Sequence, residues 1–175
     1  MNIVLIGYRC SGKSSSGRII AKKTGRTFVD TDGLIEEKAG SSIEEIVKVR
    51  GWEYFRVLEK EVIKEVSDMD NLVISTGGGV VVDEDNVLSL KKNGFTVWLK
   101  ADIDTIKERM EREELSGNVR PSLTGVDTLD EVETVLASRN PLYKKAGDLV
   151  IDTAQISVKE VANLVIKASS RRQSG

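Results

Sequence analysis

The first fifteen residues, MNIVLIGYRCSGKSS (residues 1–15), decide the fold of this chain. The apolar run at residues 3–6 predicts a β-strand that is buried on both faces. Gly7 ends that run and opens the pattern G-x-x-x-x-G-K-[ST], which Gly12, Lys13 and Ser14 complete before a helical pattern begins. A strand, a glycine-containing loop and a helix in this order are the context of a phosphate-binding P-loop. We therefore predict a nucleoside triphosphate site at this loop.

The residue types of the loop suit that ligand. Small residues let backbone N–H groups approach phosphate oxygens, and the N-terminal end of the following helix favours an anion. Lys13 supplies a positive charge for the outer phosphates, and the Ser14 hydroxyl is a ligand suited to Mg²⁺. The alternative is an ordinary glycine-rich turn between a strand and a helix, which the motif and its context together disfavour.

Size and composition predict one globular domain. The chain has 175 residues, of which 39% are hydrophobic and 31% charged, and a net charge of −2. That charge gives no general affinity for nucleic acid or an anionic membrane, and we expect neither as a partner. No apolar run approaches the roughly 18 residues of a membrane span, and no cleavable leader is apparent. The single cysteine, Cys10, excludes an intramolecular disulfide and fits a reducing cytoplasm, where we expect the protein.

Five short apolar runs alternate with helical patterns, which predicts an α/β domain with a five-stranded parallel sheet. The runs are residues 3–6, 27–29, 72–75, 96–99 and 149–151. The domain is expected to cover residues 1–168, with a polar, frayed tail at residues 169–175. Residues 33–69 have helical spacing with breaks at Gly40 and Gly51. Because this segment is too long for a simple crossover, we expect a helical insertion over the phosphate site.

Two carboxylates follow the second predicted strand. Asp30 and Asp32 lie where that strand ends, and ligands of open α/β sheets bind at this edge. The alternative is that one of them only caps the next helix. The third strand ends in Ser75 and Thr76 and lacks the aspartate that holds Mg²⁺ in many P-loop enzymes. Asp30 is therefore the candidate carboxylate for the metal.

Three further features are ambiguous by themselves. Gly77, Gly78 and Gly79 indicate a close approach of the backbone to a ligand or neighbour, or else a flexible turn. Trp52 and Phe55 have the character of core residues, and spacing alone favours a surface ion pair of nearby Arg56 with Glu53 or Glu59. Residues 113–125 have the composition of a lid that could bring Arg120 onto phosphates, although a plain surface loop is the simpler interpretation.

Taken in order, these motifs resemble the shikimate kinase family, and the resemblance runs to about Ile166. It is carried by the P-loop, Asp30-Thr31-Asp32, Glu53 to Glu59 around Phe55-Arg56, the glycine triplet, Arg120-Pro121, and Arg139-Asn140-Pro141-Leu142-Tyr143. The resemblance implies transfer of the ATP γ-phosphoryl group to the 3-hydroxyl of shikimate, a step of chorismate and aromatic amino-acid biosynthesis. It also implies a three-layer α/β/α P-loop kinase fold with a substrate-binding helical segment and a lid, and we expect a monomer.

The resemblance further implies a role for individual residues. The ATP phosphates would be bound by Cys10, Ser11, Gly12, Lys13, Ser14, Ser15 and the lid residue Arg120. Ser14 and Asp30 would hold Mg²⁺. Shikimate would be bound by Asp32, Arg56, Gly77, Gly78, Gly79 and Arg139. The catalytic residues would be Lys13, Asp32 and Arg120, and Arg109 or Arg112 with residues 153–155 are candidates near adenine. Cys10 departs from the family pattern, in which a glycine or another small residue is usual.

The chemistry of these residues agrees with that division. A small carboxylate is suited to the planar donors of Arg56 and Arg139. The chain has no histidine, so Asp32 is the natural acceptor beside the attacking hydroxyl, either as a base or as an orienting group. Two other functions remain open at this point: a kinase of another small hydroxy acid, such as gluconate, or of a nucleotide, and a regulatory module that binds ATP without turnover. The retention of Lys13 and Asp32 argues against such a module.

Overall fold

The structure, a computed structural model, describes residues 1–115 and 131–173. Residues 116–130, which include most of the predicted lid and Arg120, lie outside the described residues. The strands are β1 (Asn2–Ile6), β2 (Thr27–Asp30), β3 (Leu72–Ser75), β4 (Gly94–Lys100) and β5 (Leu149–Asp152). The helices are α1 (Lys13–Thr24), α2 (Thr31–Ala39), α3 (Ile43–Ser67), α4 (Glu84–Lys92), α5 (Ile103–Leu115), α6 (Glu131–Ala146) and α7 (Val158–Gln173).

The five strands form one parallel sheet, as the sequence predicts, and their order in the sheet is β2-β3-β1-β4-β5. Successive side chains of a strand face opposite sides of the sheet, and β1 follows this rule. Ile3 and Leu5 lie in the core shared with α1 and α7. Val4 and Ile6 lie in the core shared with α2, α3, α4 and α6. The sheet is therefore covered by helices on both faces, which confirms the three-layer α/β/α architecture.

The predicted helical insertion is two helices, α2 and α3. Gly40 ends α2 with a positive φ of 68°, and Ser42 caps α3 by accepting a hydrogen bond from the Glu45 N–H. At Gly51 the φ of 81° and ψ of 170° interrupt the helical geometry of α3 and kink it. Both glycines therefore break the helical pattern where the sequence predicts, because only glycine readily adopts these angles.

The predicted start of a frayed tail at residue 169 is wrong. Helix α7 continues to Gln173, and Ser169, assigned to the frayed tail, is buried. Arg172 extends over the Phe95 ring and forms an ion pair with Asp148 at 3.1 Å. These contacts hold the polar last turn against the sheet, and sequence polarity alone could not reveal them. Within the described ranges, no helix is both long enough and apolar enough to cross the bilayer.

Candidate active site

The phosphate-binding loop connects β1 to α1 at the carboxyl edge of the sheet. Lys13 is buried, and its Nζ donates hydrogen bonds to the carbonyl oxygens of Gly7 at 2.8 Å and Tyr8 at 2.7 Å. Gly12, at the start of α1, has a φ of 91°, and Cys10 adopts a φ of 60°. The conformation of Cys10 is unusual for its residue type, since a left-handed backbone strains most residues other than glycine.

A cavity of about 130 Å³ opens beside this loop. Its lining includes five of the six loop residues predicted to bind ATP, namely Cys10, Gly12, Lys13, Ser14 and Ser15. Ser11 is buried and lines a neighbouring cavity of about 340 Å³ instead. The N-terminal end of α1 meets the first cavity, so backbone N–H groups and the helix dipole favour an anion there.

Asp30 and Ser14 meet at one side of the loop. The Ser14 hydroxyl donates a hydrogen bond to Asp30 Oδ2 at 2.7 Å and lies 3.1 Å from the Ser75 hydroxyl. Asp30 Oδ1 accepts the backbone N–H of Asp32 at 3.2 Å and so caps α2. The sequence offered two interpretations of Asp30, a metal ligand and a helix cap. The two are compatible, because each carboxylate oxygen has a different partner.

This group of atoms fits Mg²⁺. Its donors are hydroxyl and carboxylate oxygens, the ligands that a hard cation prefers. In the part of the chain that the structure describes, no three Cys, Asp or Glu side chains cluster as a metal cage. Mg²⁺ is commonly bound by one or two carboxylates together with phosphates and water. Ser14 and Asp30 satisfy that requirement.

Another cavity, of about 330 Å³, lies between α3, α6 and the loop after β3. It is lined by all six residues predicted to bind the second substrate, which are Asp32, Arg56, Gly77, Gly78, Gly79 and Arg139. These residues come from four separate parts of the sequence. The fold therefore brings the predicted set together in one place of a size that suits a small molecule.

The glycine triplet is packed closely against functional side chains. A Cβ atom at Gly77 would lie 2.6 Å from Asp32 Oδ1, and one at Gly79 would lie 2.8 Å from Cζ of Arg56. The carbonyl oxygen of Gly78 accepts hydrogen bonds from Arg139 Nη1 at 3.3 Å and from the Tyr143 hydroxyl. The close-approach interpretation is therefore correct, since any side chain at Gly77 or Gly79 would displace a side chain of the site.

Arg56 forms the ion pair that its spacing predicts, but not on the protein surface. Its Nη1 lies 2.6 Å from Oε2 of Glu59, whose side chain is only 2% exposed, while Glu53 is solvent-exposed. Burial raises the pKa of Glu59, and the charge of nearby Asp32 raises it further, against the opposing effect of Arg56. The surface interpretation is thus wrong, because α3 turns this pair toward the cavity.

Trp52 and Phe55 also line this cavity, and their rings meet edge to face at a centroid distance of 5.5 Å. Phe55 is buried in the core, as predicted, whereas Trp52 is half-buried. Aromatic side chains beside charged groups give the cavity one apolar wall, which suits a small ligand that has both an apolar part and a charge.

Sequence reasoning missed three residues of this region. Arg9 and Glu131 form a buried ion pair beside the loop. Tyr143 stacks on Trp98 and supports the Gly78 carbonyl, and burial raises the pKa of its hydroxyl. Arg9 occupies a variable position of the P-loop pattern, and Glu131 is 122 residues away in sequence. No local pattern signals such a pair.

The candidates near adenine lie together on the far side of the loop. Arg109, Arg112 and Thr153 line the cavity of about 340 Å³. Arg109 donates hydrogen bonds to the carbonyl oxygens of Cys10 at 3.2 Å and Thr153 at 2.7 Å. The arginine thereby links α5, the loop and the end of β5. Which of these residues contacts adenine stays a prediction.

Two contiguous cavities at a P-loop, one suited to phosphates and one to a small acid, define a small-molecule kinase of the P-loop class. The family model described as "Shikimate kinase" matches residues 9–170. The chain therefore belongs to the shikimate kinase family, whose members use ATP. It is a phosphotransferase with shikimate kinase activity, as the sequence predicts.

Relatives and solved structures agree with this assignment. The chain is 39% identical to the shikimate kinase of Symbiobacterium thermophilum over 176 residues, with 100% of both chains covered. It is 41% identical to shikimate kinase 2 of an Enterobacter species, covering 93% of this chain and 92% of the relative. The structure of the Acinetobacter baumannii shikimate kinase in complex with shikimate superimposes with a TM-score of 0.89 at 30% identity, covering 98% of this chain and 93% of that one.

Proposed function

We propose that the chain transfers the γ-phosphoryl group of ATP to the 3-hydroxyl of shikimate where its two cavities meet. One observation carries this proposal: Asp32 and Gly78 line both the phosphate-loop cavity and the cavity of about 330 Å³. A hydroxyl held at Asp32 in the second cavity would face a phosphate held at the loop. The two substrates would thus meet without any intervening carrier residue.

Shikimate is oriented in this proposal by its carboxylate. Arg56 and Arg139 both line the cavity of about 330 Å³ and present guanidinium groups, which bind carboxylates through two parallel hydrogen bonds. Asp32 then accepts a hydrogen bond from the attacking hydroxyl. Because phosphoryl transfer has a loose transition state, orienting that hydroxyl matters more than the base strength of Asp32.

Charge on the reacting phosphates is offset by Lys13 and Mg²⁺ in the proposed mechanism. Lys13 already lies under the loop, so it needs only to exchange backbone carbonyls for phosphate oxygens. Ser14 and Asp30 would hold Mg²⁺, which when bound neutralises phosphate charge and orients the outer phosphates. Arg120, predicted to add a further positive charge, lies outside the described residues.

The substitution Asp32→Asn tests the assignment of the acceptor. It keeps the shape of the side chain and removes the charge, so we expect kcat to fall at least about 100-fold while ATP affinity changes little. Asp104→Asn, an exposed position on α5, is the matched control. A loss of ATP affinity equal to the loss of kcat would assign Asp32 to metal binding or folding instead.

A substrate panel separates the competing functions. ATP and Mg²⁺ are supplied with shikimate, gluconate or a nucleoside monophosphate, and ADP release is measured. We expect turnover with shikimate alone. Preferential turnover of gluconate would favour the other small-acid kinase, and saturable ATP binding without turnover would favour a regulatory module.

We also propose that the chain acts as a monomer in the cytoplasm. Both cavities are lined by residues of one chain, so the proposed reaction requires no second copy. Sedimentation equilibrium at assay concentrations measures the mass, and cell fractionation measures the location. A dimer that dissociates with loss of activity would contradict the first part of this proposal.

A further inference from the structure

Arg9 is the one arginine of the described residues that lines both cavities of the proposed active site. It shares this position with Asp32 and Gly78, so Arg9 borders the place where the phosphoryl group would pass from one substrate to the other. Its guanidinium lies 5.6 Å from the centre of the Tyr8 ring, and the residue is 8% exposed. A positive charge is thus held at the junction of the cavities.

Glu131 holds that charge in place. Oε1 of Glu131 accepts a hydrogen bond from Arg9 Nη2, and the Glu131 side chain is 1% exposed. A guanidinium has five N–H donors, so the bond to Glu131 does not occupy all of them. Glu131 begins α6, the helix that also supplies Arg139 and Tyr143 to the Gly78 carbonyl. One helix therefore fixes both sides of the junction.

Burying this ion pair has a free-energy cost that apolar side chains would not have. Two buried charges lose their hydration, and apolar residues of similar volume often serve folding equally well or better. A structural role alone therefore gives weak grounds for placing an arginine beside a phosphate-binding loop. A developing negative charge at the junction gives a specific reason.

We propose that Arg9 is a catalytic residue that binds the transferring phosphoryl group, and that Glu131 is the positioning residue that directs it. This inference rests on the proposed function. In the step, the bond from the γ-phosphorus to the bridging oxygen of ATP breaks, and its electron pair stays on ADP. A bond forms from the shikimate hydroxyl oxygen to the same phosphorus, while the hydroxyl proton leaves toward Asp32 and then solvent. Arg9 donates hydrogen bonds to the non-bridging oxygens and stays protonated throughout.

Glu131 has a second effect in this arrangement. Arg9 and Asp32 line the same two cavities, so an arginine released from Glu131 has a competing carboxylate close by. Pairing of Arg9 with Asp32 would remove the acceptor of the attacking hydroxyl. By holding Arg9, Glu131 prevents that pairing.

Four variants test the proposal in steady-state assays with separate titrations of shikimate and ATP. Arg9→Met keeps the apolar length of the side chain and removes its donors, so we expect kcat to fall about 100-fold with smaller changes in either KM. Arg9→Lys keeps the charge and should recover part of kcat. Glu131→Gln should lower kcat by about tenfold, since it loosens Arg9 without removing it. Arg18→Met is the control, because Arg18 stacks on Phe28 on the exposed side of α1.

The double variant Arg9→Met/Glu131→Met separates catalysis from folding. It removes both buried charges together, so thermal unfolding should resemble that of the unchanged protein even where a single variant is unstable. We expect kcat of the folded double variant to stay about 100-fold low. If the double variant recovered kcat together with stability, the proposal would be overturned. The pair of Arg9 and Glu131 would then have a structural role only. A rise in KM for shikimate without loss of kcat would also overturn it, by assigning Arg9 to ground-state binding.

The unchanged protein distinguishes failure of this inference from failure of the proposed function. If it does not turn over shikimate, the proposed function fails and this inference falls with it. If it turns over shikimate and Arg9→Met does so equally fast, only the role of Arg9 is overturned.

Discussion

The Ser14 hydroxyl donates a hydrogen bond to Oδ2 of Asp30 at 2.7 Å, which joins the start of α1 to the end of β2. Asp30 is paired with Ser75 of β3 in the parallel register, and the Ser75 hydroxyl lies 3.1 Å from that of Ser14. Three oxygen-bearing side chains from separate elements therefore meet beside the loop. In the proposed metal site, the carboxylate that many P-loop enzymes supply from the third strand would come from the neighbouring strand β2.

Asp30→Asn should impair the metal site and leave the fold intact. Asparagine is as good a helix cap as aspartate, so the thermal midpoint should change little. Loss of the charge should raise the Mg²⁺ concentration for half-maximal activity by about tenfold. Asp83→Asn is a matched control, because Asp83 caps α4 in the same way, by accepting a hydrogen bond from the Asp85 backbone N–H, away from the loop. An unchanged Mg²⁺ dependence would limit Asp30 to its capping role.

Arg139→Lys should weaken shikimate binding. Arg139 reaches the cavity from α6 and is oriented by its hydrogen bond to the Gly78 carbonyl at 3.3 Å. Lysine keeps the charge but cannot form the two parallel bonds of a guanidinium with a carboxylate, so we expect KM for shikimate to rise about tenfold with a smaller change in kcat. Arg50→Lys is the control, since Arg50 stacks on Tyr54 at 4.1 Å on the exposed side of α3. An unchanged KM for Arg139→Lys would remove Arg139 from the binding site.

Gly79→Ala should disturb the site through Arg56. The added Cβ would lie 2.8 Å from Cζ of Arg56, so the guanidinium must move. A displacement of this size in a positioning group predicts a fall in kcat/KM for shikimate of about 10- to 100-fold. Gly33→Ala is the opposite case, because a Cβ on this exposed residue of α2 would have no atom within 4 Å. We expect it to keep full activity and to raise the free energy of unfolding by about 0.5 kcal/mol.

Denaturant unfolding and steady-state kinetics measure both glycine variants. Equal activity of Gly79→Ala and the unchanged protein would show that Arg56 can move without cost. The close packing of the glycine triplet would then have no functional consequence.

Local patterns predicted the parts of the site that are local in the chain. The P-loop is one continuous motif, and strand ends place Asp30 and Asp32 at the carboxyl edge of the sheet by simple topology. The five strands could be predicted in the same way, since each is a short apolar run between helical patterns. These features depend on residues that are neighbours in the chain and on the right-handed connection of parallel strands, which is a general rule for proteins.

The features of the site that depend on packing could not be predicted from local patterns. Spacing predicts that Arg56 pairs with Glu59, but only the rotation of α3 against the sheet decides that the pair faces a cavity. The pair of Arg9 and Glu131 closes a loop of 122 residues, and nothing near either residue indicates the other. Burial and long-range pairing are properties of the assembled layers.

Glu59 makes the stability of the fold depend on pH. Burial raises the pKa of this carboxyl above its ordinary value of 4.5, Arg56 opposes the rise and the charge of Asp32 adds to it. The folded protein therefore binds a proton at Glu59 more readily than the unfolded chain does. By linkage, the contribution of Glu59 to the free energy of unfolding is greatest below the ordinary pKa and is lost as pH rises through the folded pKa.

Glu59→Gln removes this titration and should reveal its sign. Glutamine does not titrate, so the stability of the unchanged protein relative to the variant should increase as pH is lowered from 7 toward 4.5. Urea unfolding at several pH values measures that difference. Glu53→Gln, an exposed position on the same helix, should give a difference that is nearly constant over this range. Parallel curves for the unchanged protein and Glu59→Gln would contradict the raised pKa and would mean that Arg56 compensates fully for the burial of its partner.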